Sequence, residues 1–128
     1  MILSQSEQGK IFDEAQKNKK AFAVDWDFGA EDVAFNIKEI IPTLDINGEK
    51  AVQVLGDWIE TLTIEGKEYK FNLDSETKPI DIVNKANLHL KNIGKTLVFY
   101  DTKDEDYSFI LINLSELPDY LEKGFIEV

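Results

Sequence analysis

Carboxylates are the only reactive side chains that this sequence offers in quantity. It contains 25 acidic residues against 14 lysines, with no arginine, no cysteine and a single histidine, His89. The absence of cysteine excludes thiol catalysis and disulfides, and a zinc site is disfavoured because such sites draw on Cys and His. The remaining chemistry is that of carboxylates, which can bind a divalent cation, exchange protons or meet a positively charged partner.

The first acidic segment is Asp25-Trp26-Asp27, in an alternating run that predicts a strand. A strand would put both carboxyl groups on one face, about 7 Å apart. Such a pair could hold Mg²⁺ or Ca²⁺ or share acid–base work. The following Phe28-Gly29 does not supply the further oxygen ligands of a calcium loop, so we favour an acidic strand face that meets water or a basic partner.

The second acidic segment runs from Asp101 to Asp106 and is followed by Tyr107. It joins two apolar runs, which predicts an exposed hairpin loop, and it lacks the spacing and glycine of an EF-hand. The loop either keeps the protein soluble or attracts a basic partner, with Tyr107 as a rigid anchor. Asp57 extends this surface if its hairpin lies nearby. The candidate partner-binding residues are Asp25, Asp27, Asp57, Asp101, Asp104, Glu105, Asp106 and Tyr107.

Other function classes find little support. A net charge of −11 opposes a phosphate backbone, and no arginine exists for guanine contacts, so direct nucleic-acid binding is disfavoured. Neither a glycine-rich phosphate loop nor a nucleophile elbow occurs. His89 falls inside a predicted helix, where we expect a packed or exposed side chain and no catalytic role. We therefore predict a protein that is not an enzyme and has no cofactor and no metal site.

The composition predicts one folded domain over residues 1–128. The 43% hydrophobic and 11% aromatic fractions argue against disorder, and the length suits a single core. No apolar run reaches the length of a membrane span. The first residues lack the basic and apolar regions of a secretory signal, so we expect a cytoplasmic protein.

The first half of the chain alternates helix and strand. Ser4 and Glu7 have the spacing of a capping box, which predicts a helix over 5–19. The period-two pattern from 21 to 28 predicts a strand with Phe22, Val24, Trp26 and Phe28 on its buried face. Residues 30–41 fit a helical stripe, although a strand pairing of Val33, Phe35 and Ile37 stays open.

The second half is richer in strands. Residues 44–57 are ambiguous, with Asn47-Gly48 as a turn signal, and a hairpin turning at Glu65-Gly66 follows. A helix capped by Thr77 continues to Gly94. Two apolar runs, 96–100 and 107–114, should form the sheet centre, followed by a helix capped by Ser115 and a short final strand. The predicted fold is α+β, with an antiparallel or mixed sheet of about five or six strands and about four helices packed mainly on one face.

The charge is unevenly distributed. Residues 21–75 carry twelve acids against four lysines, and residues 96–128 carry eight acids against two lysines. The stretches 1–20 and 76–95 have a slight excess of lysine. Such a pattern serves solubility through self-repulsion, or it builds a surface for a basic partner.

In its size, strong acidity, lack of cysteine and α+β pattern without catalytic residues, the sequence resembles a bacterial immunity protein of polymorphic toxin or contact-dependent inhibition systems. The resemblance implies a cytoplasmic protein that neutralises one cognate basic toxin domain, such as a nuclease, by charge-complementary contact. Two alternatives stay open. One is a regulatory or scaffold domain with a generic acidic surface, including a homodimer through a strand edge, and the other is a metal-binding hydrolase that uses Asp25 and Asp27.

Overall fold

The structure, a computed structural model, describes residues 2–73 and 78–128. The described part contains four helices and seven strands, which confirms the α+β class. In chain order the elements are α1 (Gln5–Lys17), β1 (Ala21–Val24), α2 (Ala30–Ile40), β2 (Ile46–Val54), β3 (Asp57–Ile64), β4 (Lys67–Asn72), α3 (Pro79–Leu90), β5 (Lys95–Tyr100), β6 (Tyr107–Asn113), α4 (Leu117–Glu122) and β7 (Ile126–Glu127).

The strands form two antiparallel sheets. The larger has the order β1-β6-β5-β7, with β5 and β6 at its centre as the two apolar runs predicted. The smaller has the order β2-β3-β4. A central strand that is apolar at nearly every position must be covered on both faces, because successive side chains point to opposite sides. Leu97 and Val98 on β5, and Phe109 and Ile110 on β6, are all buried and fit this requirement.

Helices cover both faces of the larger sheet. Helices α1 and α4 pack on one face around Val98, Ile110 and Phe125. Helices α2 and α3 pack on the other face around Leu97 and Phe109, in a core that also includes Leu62, Ile64 and Phe71 of the smaller sheet. The helices are thus divided between two faces and the strands between two sheets, where the sequence predicts one sheet with helices mainly on one side. Strand partners far apart in the chain leave no local signal of this division.

A carboxylate from the smaller sheet caps the N-terminus of α2. The helix begins after Gly29 without a side-chain cap of its own. Glu60 of β3 accepts a hydrogen bond from the Ala30 N–H at 2.9 Å, so its charge lies where the helix dipole favours an anion. A Cβ at position 29 would collide with the Glu60 carboxylate. A side chain at position 29 would therefore displace the Glu60 carboxylate from the start of α2.

The Asn47-Gly48 pair does not form the predicted turn. Both residues lie inside β2, where Gly48 packs so closely on the start of α2 that a Cβ would meet the Ala30 carbonyl oxygen. The turn between β2 and β3 is instead formed by Leu55 and Gly56, with φ values of +52° and +90°. Glycine is thus needed at position 48 for packing. Leu55 at the hairpin tip is fully exposed.

Several local predictions are confirmed. The Ser4 hydroxyl accepts the Glu7 N–H at 3.2 Å, and the Glu7 carboxylate accepts the Ser4 N–H at 3.3 Å, which completes the capping box. Residues 30–40 are helical, and β3 and β4 turn at Glu65-Gly66, both with positive φ. The proposed cap Thr77 lies outside the described residues.

The last helix begins later than predicted. Ser115 does not cap it, because residues 114–116 form a tight turn that follows Asn113. The Asn113 N–H donates to the Glu116 carboxylate at 3.0 Å, and this bond fixes the turn. Helix α4 then starts at Leu117, with Pro118 in its first turn.

The predicted strand 21–28 is too long. Strand β1 ends at Val24, and the following residues form a loop in which Trp26 is 55% exposed and Phe28 is 40% exposed. The period-two sequence pattern continues past Val24 because Trp26 and Phe28 are both apolar. Their side chains are exposed, so here the pattern does not mark a strand. Asp25 and Asp27 consequently do not share a strand face.

A buried amide connects α3 to the larger sheet. Asn87 is 1% exposed, accepts the Leu97 N–H at 2.8 Å and donates to the Leu97 carbonyl at 3.0 Å. Strand β7 is only two residues long and pairs with β5 at Val98 and Phe99, so it does not reach this point. The Asn87 side chain takes the place of a neighbouring strand and leaves the buried backbone groups satisfied.

In the described part of the chain, every helix is too short or too polar to traverse a lipid bilayer.

We predict that Gly48→Ala destabilises the fold, because the added methyl group must push β2 away from the start of α2. Overpacking of this kind costs about 1–3 kcal/mol. Urea unfolding followed by circular dichroism measures the loss. The exposed neighbouring substitution Glu49→Ala is the control, and equal stability of the two variants would contradict the packing role of Gly48.

The correction at Trp26 gives a second stability prediction. Phe109→Ala removes a fully buried ring and should cost about 3–5 kcal/mol. Trp26→Ala removes a side chain that is more than half exposed and should cost no more than about 1 kcal/mol. The midpoints of thermal unfolding compare the two variants, and a loss at Trp26 as large as that at Phe109 would show that the indole belongs to the core.

Candidate functional site

The pairing of β1 with β6 brings the two acidic segments together. Val24 lies opposite Tyr107 at the last position of this antiparallel pair. The residue after Val24 is Asp25 and the residue before Tyr107 is Asp106, so both leave the sheet at the same end. The two carboxyl groups are therefore neighbours, and the Asp106 side chain lies within hydrogen-bonding reach of Asp25.

Five carboxylates lie in the loops at this end of the larger sheet. We call them the acidic cluster, which consists of Asp25, Asp27, Asp104, Glu105 and Asp106. A hydrogen bond that the protonated Asp25 carboxyl can donate to Asp106 raises the pKa of Asp25, and slight desolvation and the negative charges of Asp106, Asp27 and Glu105 add to the rise. Each of these effects favours the neutral form of the Asp25 carboxyl. The cluster is therefore a local excess of negative charge that a cationic group would relieve.

The acidic cluster borders an open depression of about 610 Å³, lined by Asp25, Lys103, Asp104, Glu105 and Asp106. Lys103 is the only cation in this lining, and its ammonium group is already paired with Asp101 at 3.0 Å. Among residues 2–73 and 78–128, no group of three or more potential ligands is arranged to hold a metal ion. This open depression has a shape that the surface of another protein could contact.

Aromatic side chains adjoin the carboxylates. A smaller depression of about 250 Å³ is lined by Trp26, Lys78, Asp104, Glu105 and Tyr107. Tyr107 is held in place by stacking on Phe99, with ring centroids 5.6 Å apart. Trp26 projects from the loop without such support and offers its indole to solvent. Tyr and Trp are enriched at protein-binding surfaces, where a polar rim surrounds them.

Two predicted site residues lie elsewhere or have other roles. Asp101 accepts the Lys103 N–H at 2.9 Å as well as its ammonium group, and both bonds lower the pKa of Asp101. Its carboxylate therefore shapes the loop. Asp57 lies opposite Val54 near the tip of the β2–β3 hairpin, and none of the contacts described above joins it to the acidic cluster. The structure brings together the other five acids and Tyr107.

The single histidine belongs to an arrangement that sequence reasoning missed. The His89 Nε2 atom lies 2.7 Å from the Tyr69 hydroxyl, and its Nδ1 atom lies 3.2 Å from a Glu65 carboxylate oxygen. Such a chain can polarise a hydroxyl group in an enzyme. Here it ties the end of α3 to the β3–β4 hairpin, and His89 lines neither of the depressions above. Only the long-range pairing of hairpin and helix could have revealed it.

We predict that Asp106→Asn lowers the pKa of Asp25 toward its ordinary value of 3.8. The amide removes a negative charge and can donate a hydrogen bond to the Asp25 carboxylate, so the charged form is favoured. NMR titration of the carboxyl carbon measures this pKa. Asp119→Asn on α4 removes the same charge elsewhere and should leave the pKa of Asp25 unchanged.

The raised pKa also predicts a pH dependence of stability. The folded protein binds the Asp25 proton more tightly than the unfolded chain, so the carboxyl destabilises the fold above its folded pKa. This penalty is relieved as the pH falls from the folded pKa toward 3.8. Asp106→Asn should therefore be more stable than the parent protein at neutral pH, with an advantage that shrinks across this window in urea unfolding. A constant difference would contradict the coupling.

Comparison with known proteins gives a family without a described activity. No curated protein and no solved structure matches this sequence significantly. Residues 5–123 match the model of a family described as a domain of unknown function, DUF6630, and because this match spans most of the chain, the protein belongs to that family.

Proposed function

We propose that the protein binds a basic partner protein through the acidic cluster and the adjoining Trp26 and Tyr107. The observation that carries the proposal is the register of β1 and β6, which assembles five carboxylates from two distant segments around an exposed indole. An isolated acidic loop would serve solubility equally well. Convergence of two acidic segments on one aromatic patch favours a surface built for contact.

The partner that suits this surface is a cognate toxin domain of basic character, such as a nuclease, which the protein would neutralise in the cytoplasm. A surface that binds nucleic-acid phosphates is positively charged, and clustered carboxylates can occupy it in their place. Opposite charges accelerate encounter by about 10–10³-fold, an advantage for an inhibitor that must act quickly. The aromatic residues would then contribute most of the binding energy, since exposed charges mainly raise the association rate.

Co-expression with the product of the gene immediately upstream tests the proposal. If that product contains a toxic basic domain, the parent protein should restore growth and form a complex that weakens as salt is raised. The variant with Asp104→Asn, Glu105→Gln and Asp106→Asn should bind at least about tenfold more weakly and lose most of the salt dependence.

A matched control carries Asp13→Asn, Glu49→Gln and Glu68→Gln, three exposed acids outside the acidic cluster. It has the same net charge as the cluster variant and should bind like the parent protein. Equal weakening of both variants would indicate a general charge effect. An upstream gene without a toxic product, and no salt-sensitive partner, would favour the alternative of a regulatory or scaffold domain.

A further inference from the structure

A groove lies on the face of the larger sheet that α1 and α4 cover. It has a volume of about 420 Å³, within the range of about 300–1,000 Å³ that small-molecule sites occupy. Its apolar lining comes from Ile11 and Ala15 of α1 and from Ile110 and Ile112 of β6, and Tyr120 of α4 adds a phenol ring. The groove therefore presents both aliphatic and aromatic surface.

Three lysines from separate elements line the same groove. Lys10 comes from α1, Lys20 from the turn before β1, and Lys95 from the start of β5. They belong to the two stretches of sequence with a slight excess of lysine, which the fold brings together here. The chain as a whole has a net charge of −11. The lining of this groove, in contrast, contains more lysines than acidic residues.

The acids in the groove do not neutralise these lysines fully. The Glu116 carboxylate accepts the Asn113 N–H at 3.0 Å and is engaged in the turn before α4. The Lys95 ammonium group donates to the Asn113 side-chain oxygen. Among the described residues, Lys10 and Lys20 form no ion pair, which leaves Glu14 as the remaining carboxylate of the lining. Neither ammonium group is held in an ion pair, although Lys10 also lies near the Glu7 carboxylate, whose pKa its charge helps to lower.

The apolar surface continues beyond this groove. An adjoining depression of about 490 Å³ shares Asn18, Lys20, Lys95 and Leu111 with it and extends to Ile41 and Pro42 after α2. Lys20 and Lys95 thus lie where the two depressions meet. An elongated apolar group could lie along either depression with its charged end near these lysines.

We propose that this groove binds a small organic anion with an apolar body, such as a carboxylate with an aliphatic chain. The apolar side chains take up the body of the ligand and the lysines take up its negative head group. Charge complementarity selects this class, because a cationic or neutral ligand would gain nothing from Lys10 and Lys20.

The site is independent of the proposed partner surface. The Lys95–Asn113 pair and the Val24–Tyr107 pair lie at opposite ends of the larger sheet. Five residue steps separate Lys95 from Tyr100 along β5, which corresponds to about 17 Å. A ligand in the groove therefore does not touch the acidic cluster, and each proposal can fail without the other.

The test is an NMR titration of the full chain with octanoate, and with octan-1-ol as the neutral probe of the same chain length. Octanoate should shift the methyl signals of Ile11, Ile110 and Ile112 at concentrations where octan-1-ol shifts them less. The double variant Lys10→Ala/Lys20→Ala should bind octanoate about tenfold more weakly. Lys17→Ala/Lys50→Ala removes two exposed lysines outside the groove and should bind like the parent protein.

A second variant tests the apolar lining. Ala15→Phe fills the groove from α1 and should abolish the shifts, and if it disturbs the fold, the lysine variant alone decides. No methyl shift with octanoate would overturn the proposal. Equal shifts with both probes, or equal affinity in the two lysine variants, would also overturn it, because the lysines would then have no part in recognition.

Discussion

The antiparallel register between β1 and β6 is the constraint on which the candidate docking surface depends. Phe22 lies opposite Phe109, and both are buried against α2 and α3. A slip of one residue would turn these rings away from the core and is therefore strongly disfavoured. The same register fixes Asp25 beside Asp106. The position of the carboxylates thus follows from the packing of apolar residues three positions away.

The surface charge and the core have opposite effects on stability. Carboxylates that raise the pKa of Asp25 repel one another in the folded protein and gain nothing from folding. The larger sheet, covered on both faces, supplies the apolar burial that holds them in place. Proteins commonly keep such locally unfavourable groups where they bind or react.

Sequence reasoning succeeded where the signal was local and failed where contacts between distant segments decided. The Glu65-Gly66 turn and the Ser4 cap depend on neighbouring residues, so their patterns sufficed. The turn predicted at Gly48 was wrong because glycine is needed there for close contact with α2, and a contact between distant segments leaves no mark in the local sequence. The acidic segments were found individually. Their meeting depends on a pairing across about eighty residues, and Asp57 was included because nothing local separates it from the others.

The strands at the two edges of the larger sheet are short, with four residues in β1 and two in β7. Beside β7, the Asn87 amide already occupies the backbone groups of Leu97. A strand from another molecule therefore finds few unpaired backbone N–H and C=O groups at these edges, which limits edge-to-edge aggregation of this sheet. Side chains in the loops at the ends of this sheet can accordingly be exchanged without altering the ladder beneath them.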